Sequence, residues 1–122
     1  MELSCDVLVV GGGCGGAAAA LAATTLGRVV VLTEAGDRLG GQLTSQAVPP
    51  DEHPWVETTG TTASYRRLRE AVRARYRQTR RLTPTAARDP HFNPGAAWVS
   101  QLSAEPEVFR AVLDDLLRPA QE

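Results

Sequence analysis

Glycines at positions 11, 13 and 16 follow a short apolar run, and the next apolar run is followed by a carboxylate, Glu34. Glycine at 11 lets the chain turn sharply as it leaves an extended segment. Glycine at 13 carries no side chain to hold the backbone away from a pyrophosphate. Gly16, with Ala20 four residues on, lets a helix lie close to its neighbouring strands. A helix that opens at this turn aims unpaired N–H groups and its positive dipole end at phosphates. Glu34 stands 23 positions after Gly11, close to the ~20 expected for a carboxylate that accepts ribose hydroxyls. Together these residues could grip the adenosine diphosphate half of a dinucleotide.

The elements that must position them are legible around them. Asp6–Val10 is a β-branched apolar strand, and the alanine-rich stretch after Gly13 is a helix stopped by Gly27. Val29–Leu32 is a second buried strand. Two plainer readings compete. Residues 7–27 are uncharged, as in a signal peptide or membrane helix, but acidic residues precede them, no Lys or Arg does, and six glycines interrupt them. A βαβ unit with a merely structural glycine turn is the other.

At 122 residues and 43% apolar content the chain is one domain or part of one. A net charge of −1 gives no general case for nucleic acid or an anionic membrane, and all thirteen basic residues are Arg. Cys5 starts the first strand and Cys14 lies past its end, so at ~3.3 Å per residue they stand too far apart for a disulfide. Free cysteines and the lack of an export signal point to the cytoplasm. Cys14, near a helix N-terminus, is placed where a thiolate would be favoured, or is simply a small residue that fits.

Residues 36–63 carry three prolines and no sustained periodicity and predict a long loop. Ser64 is placed to cap a helix over 64–81, with Tyr65, Leu68, Val72 and Tyr76 as its apolar stripe. Its other faces hold eight arginines against Glu70. That density suits an anion or nucleic-acid surface, a solvated face, or one covered by acidic partners elsewhere in a larger protein. Thr83–Ala97 is broken by three prolines and reads as irregular. A last helix spans 103–118, with Ser103 as its cap, Pro106 early in the first turn, and Val108, Val112, Leu113, Leu116 and Leu117 as its apolar face.

The glycines, Glu34 and the pair Gly40-Gly41 resemble the N-terminus of FAD-dependent oxidoreductases of the glutathione-reductase type. The segment GGQLTSQAVPPDEHPWVE and the later NPGAAWVSQL are similar to a bacterial group of FAD-dependent oxidoreductases, and the resemblance spans essentially the whole chain. It implies that Gly11, Gly13 and Gly16 line the pyrophosphate and that Glu34 binds the adenosine ribose. Gly40, Gly41 and Gln42 would continue along FAD toward the ribityl chain. Arg38 would meet a phosphate or the Glu34 region. His53 and Trp55 are the candidates near flavin or substrate, with His53 able to move a proton near neutral pH or simply to pin the loop.

The implied fold is α/β. An incomplete Rossmann-like FAD-binding domain begins with a βαβ unit over 1–35 and continues through a cofactor or active-site loop over 36–63 to two helices. Such families need further parallel strands and a catalytic half, expected here on the remainder of the flavoprotein, supplied as a separate chain or by continuation. Alone, the chain is expected not to turn over. An NAD-dependent dehydrogenase fragment shares the glycine fingerprint. A non-catalytic binding module using the basic helix is the reading from a different class. No nucleic acid, membrane or metal partner is expected on the leading reading.

Overall fold

A computed structural model describes residues 2–118. The Val7–Val10 run forms strand β1, which pairs in parallel with β2 (Val30–Thr33) in the register Val7↔Val30 to Val10↔Thr33. Helix α1 (Cys14–Thr25) connects them, since parallel strands need a crossover and not a tight turn. The far end of the pair is closed by Asp6, whose carboxylate accepts the Val29 N–H at 2.8 Å. The molecule is thus mixed α/β, with a two-stranded parallel sheet among the described residues.

Among the described residues four helices follow the sheet: α2 (Gln42–Ser45), α3 (Ala63–Thr79), α4 (Pro84–Arg88) and α5 (Pro106–Leu117). The expectation of a loop and two helices is therefore corrected by two short helices. Thr83 caps α4, accepting the Ala86 N–H at 3.2 Å, and Pro84 needs no N–H partner at the first helical position. Two cap assignments also change. Thr62, not Ser64, caps α3 by accepting the Tyr65 N–H. Ser103 does not cap α5; its hydroxyl donates to Asn93 Oδ1 at 2.6 Å and accepts the Ala97 N–H, fastening the preceding loop.

The core lies among the helices and not on the sheet. Val72 and Tyr76 of α3 meet Val108, Phe109 and Val112 of α5, with Leu43, Phe92 and Leu102 filling between them. Tyr76 and Phe92 pack edge to face at 6.3 Å, and the Tyr76 hydroxyl accepts the Glu105 N–H at 2.9 Å. Phe109, absent from the expected apolar face, is 1% exposed. By contrast Leu8 and Val10 of β1 stand open, Val10 at 80% exposure. Val7 and Val9 point the other way and are half-buried, as the two-residue period of a strand requires.

The basic helix is not a uniformly solvated face. Arg69 and Arg73 turn inward beside the stripe, at 2% and 3% exposure. Both pair with Glu57, and Arg69 also pairs with Glu52. Arg75 and Arg80 bridge to Asp115 and Glu105. The acidic partners are thus in the same chain, and the pairs tie the 46–62 segment and α5 to α3. Replacing Phe109 by Ala should cost about 3–5 kcal/mol of unfolding free energy. Urea unfolding followed by far-ultraviolet circular dichroism checks this; a loss below about 1 kcal/mol would move the core away from the α3–α5 seam.

Candidate functional site

Gly11, with φ at +98°, carries the chain off β1 in a conformation that residues with a Cβ rarely adopt. Its N–H still reaches back to the Thr33 carbonyl at 2.9 Å. A Cβ on Gly16 would fall on the Gly11 carbonyl oxygen, so the first turn of α1 can approach the strand only as glycine. A Cβ on Gly13 would meet nothing within 4 Å. The space beside it is open to a ligand. Helix geometry leaves the first amides of α1 without intrahelical acceptors, beside that opening.

Glu34, just past β2, lashes the turn from the side. Its Oε2 accepts the Gly12 N–H and its Oε1 the Gly36 N–H, each at 2.8 Å. These two donors, Gly36 first, hold its carboxyl below the ordinary glutamate range. Gly12 is a residue that local spacing did not single out. A Cβ there would strike Leu39 and lie 2.8 Å from Glu34 Oε2. Those neighbours lie far along the chain, and a pattern read around 11, 13 and 16 holds no signal of them.

Gly40 and Gly41 come back onto this turn. The Gly40 N–H donates to the Gly12 carbonyl at 2.8 Å, and a Cβ on Gly41 would lie 3.3 Å from Gly13 Cα. Both have positive φ. Gln42 begins α2 and lines, with Cys14, a cavity of about 440 Å³ walled by Ala17, Leu21, Val48, Leu68 and Leu116. Tyr65 on its wall is pushed up to about 12, by burial first and then by the charges of Cys14 and Glu57. The thiolate that the helix end would favour at Cys14 is not the form this site favours. The side chain is exposed, yet partial desolvation beside the cavity raises that thiol, and its Sγ donates to the Gly40 carbonyl at 3.2 Å.

Arg38 lines a hollow together with Glu34, Gly36 and Leu39. It bridges Asp37 and, at 2.8 Å, Glu107 of α5. His53 is not part of the cavity wall. Its Nδ1 accepts the Trp55 N–H at 3.2 Å, and both residues are exposed, as is Trp98. Cys5 and Cys14 are free. Among the described residues no group of His, Cys, Asp or Glu could hold a metal, and no helix is long and apolar enough to cross a membrane.

A strand, an open glycine turn, a helix start and a carboxylate-tipped second strand thus converge on one end of the sheet. The profile of FAD dependent oxidoreductases matches residues 6–122. The chain belongs to the FAD-dependent oxidoreductase family. No curated protein and no solved structure shows a significant match to it. The family's cofactor is FAD, and the residues of this FAD-dependent oxidoreductase chain fit it: Gly13 leaves the approach to the α1 amides clear. Each Glu34 oxygen, with one backbone donor, keeps acceptor capacity for a hydroxyl.

Glu34 makes a pH-dependent contribution whose sign follows from its lowered pKa. The stabilisation is intact above the ordinary value of 4.5 and is lost as pH falls through the lower folded value. Glu34→Gln, which keeps only one acceptor oxygen, should unfold at a lower temperature than the parent at pH 7. The gap should hold steady down to about pH 4.5 and close below it. Thermal unfolding by circular dichroism at stepped pH measures this. A gap still undiminished at the acid end would mean that the carboxylate does not act through its charge.

Proposed function

We propose that this chain is the nucleotide-gripping part of an FAD-dependent oxidoreductase, an incomplete Rossmann-like domain that holds the adenosine diphosphate half of the flavin. The observation that carries the reading is the turn itself, clear of side chains at Gly13 and fastened from the side by Glu34. The amides opening α1 and the helix dipole would bind the pyrophosphate. The free acceptor sites on Glu34 would take the ribose hydroxyls, and the same charge disfavours a nucleotide carrying a 2′-phosphate. Gly40 and Gly41, packed on the turn, lead to Gln42, and Gln42 and Cys14 border the apolar cavity, which would shelter the cofactor beyond its pyrophosphate.

When bound, FAD supplies the acceptor for a hydride or electrons. The protein's share in this chain is to bind, orient and exclude water. Arg38, tied to Asp37 and Glu107, would fasten the loop to α5 and not touch a phosphate. His53, holding the Trp55 N–H, would order its loop. Open apolar side chains on β1 support a working partner, the remaining strands of the flavoprotein, on a separate chain or a continuing one. The substrate would be a small molecule met there, and the 122-residue chain would bind FAD without turnover.

Titration with FAD, followed by flavin fluorescence, tests this. Saturable binding is expected. Gly13→Val, which fills the approach, and Glu34→Ala, which removes charge-assisted hydrogen bonds, should each weaken it roughly tenfold or more. Saturation by NADH with no response to FAD would replace the flavin by a nicotinamide cofactor.

A further inference from the structure

A second concave site lies across the molecule's basic helix, away from the glycine turn. A cleft of about 500 Å³ is bounded by α3, α4 and the turn at Pro90, and five arginines and two glutamates line it. Glu57 is already engaged by Arg69 and Arg73, and the second carboxylate on Arg69 is Glu52. Arg66, Arg77 and Arg88 then face the cleft with only Glu70 on its wall to oppose them. None of these four makes an ion pair among the described residues. Arg77 is held in place without being neutralised: its guanidinium donates to the Asp89 carbonyl at 2.8 Å and lies over the Phe92 ring at 5.1 Å.

A further observation comes from the floor. Arg69 is 2% exposed, yet its Nε–H has no hydrogen-bond partner among the described residues, and neither has Oε2 of Glu52, the carboxylate paired with it. A buried donor left unmade is costly and is satisfied by any acceptor that reaches it. Burial, and then the charge of Arg73, lower the Arg69 pKa to about 10. The arginines already hold one oxyanion of their own chain, the Glu57 carboxylate, with His91 Nε2 3.8 Å from its second oxygen. The cleft's chemistry is that of a carboxylate or phosphate receptor, for which guanidinium forks are suited.

We propose that this cleft binds a small oxyanion, a carboxylate or phosphate group of a metabolite, at Arg66, Arg77 and Arg88 above the Arg69–Glu57–Arg73 floor. A solvated basic face would show no such saturable site. An extended nucleic-acid surface is disfavoured, because the unpaired arginines converge in a concavity and the nearby Phe92 is buried beneath Arg77.

The experiment is calorimetric titration of the full chain with inorganic phosphate and, separately, citrate, at ionic strength fixed with sodium chloride. Saturable binding of either is expected, roughly tenfold weaker in the Arg66→Ala/Arg88→Ala double variant. Arg67→Ala, outside the cleft, should bind like the parent, and circular dichroism confirms that the variants fold. Gly13→Val should also bind like the parent, which separates this site from the pyrophosphate turn. Loss in that variant would assign the anion to the turn and overturn the proposal while leaving the FAD reading intact. Failure of both anions to saturate, or equal binding by the double variant, would overturn it too. So would an RNA oligonucleotide bound more tightly than either anion and released by the same double variant.

Discussion

The return of Gly40 and Gly41 onto the first glycine turn is the constraint on which the rest of the structure depends. It joins the strand–helix–strand at the N-terminus to the helical core, beside the packing of α1 against α5. The joint is made from backbone, by the Gly40 N–H on the Gly12 carbonyl and by Gly41 packed on Gly13. Side chains at 40 or 41 would push the loop off, because Leu113 and Thr44 already crowd Gly40. Leu113 belongs to α5, so the same few ångströms fix the turn, the loop and the last helix at once. Glu34 completes the joint by holding Gly12 from below with its charge.

The proposed cofactor grip and the apolar core therefore reside in different residues. The apolar core is built between α3 and α5, while the sheet contributes little buried surface and keeps Leu8 and Val10 open. The 46–62 segment owes its place less to apolar burial than to Glu52 and Glu57, which accept from Arg69 and Arg73. Buried ion pairs of this kind fix geometry more surely than they add stability. They hold a proline-rich stretch against a helix where hydrophobic periodicity offered no purchase.

Much of this was legible before any coordinates, and the division between legible and hidden follows the range of the interaction. The turn at Gly11 and the close packing at Gly16 and Ala20 depend on near neighbours, and the stripe Leu68, Val72, Tyr76 depends on helical period; both can be read from spacing. The Thr62 and Thr83 caps are equally local, but Ser64 and the prolines around 84–94 offer competing local signals. What spacing could not reveal was set by distant partners. Gly12 is required by Glu34 and Leu39, Arg38 is claimed by Glu107, and Arg69 and Arg73 are turned inward by Glu57. Cys14 is an exposed small residue at the turn, as its position allows, and partial desolvation disfavours the thiolate that the helix end alone would favour.

The two tryptophans carry one last consequence. Trp55 is 66% and Trp98 99% exposed, while the aromatic residues of the core are Tyr76, Phe92 and Phe109. The indoles are thus in water in the native state, and their emission colour will change little when the core melts. Intrinsic tryptophan fluorescence, the usual optical gauge of a folded interior, is in this protein a gauge of its rim. It reports what touches the loops around Trp55 and Trp98 and stays nearly blind to the helices that hold the molecule together.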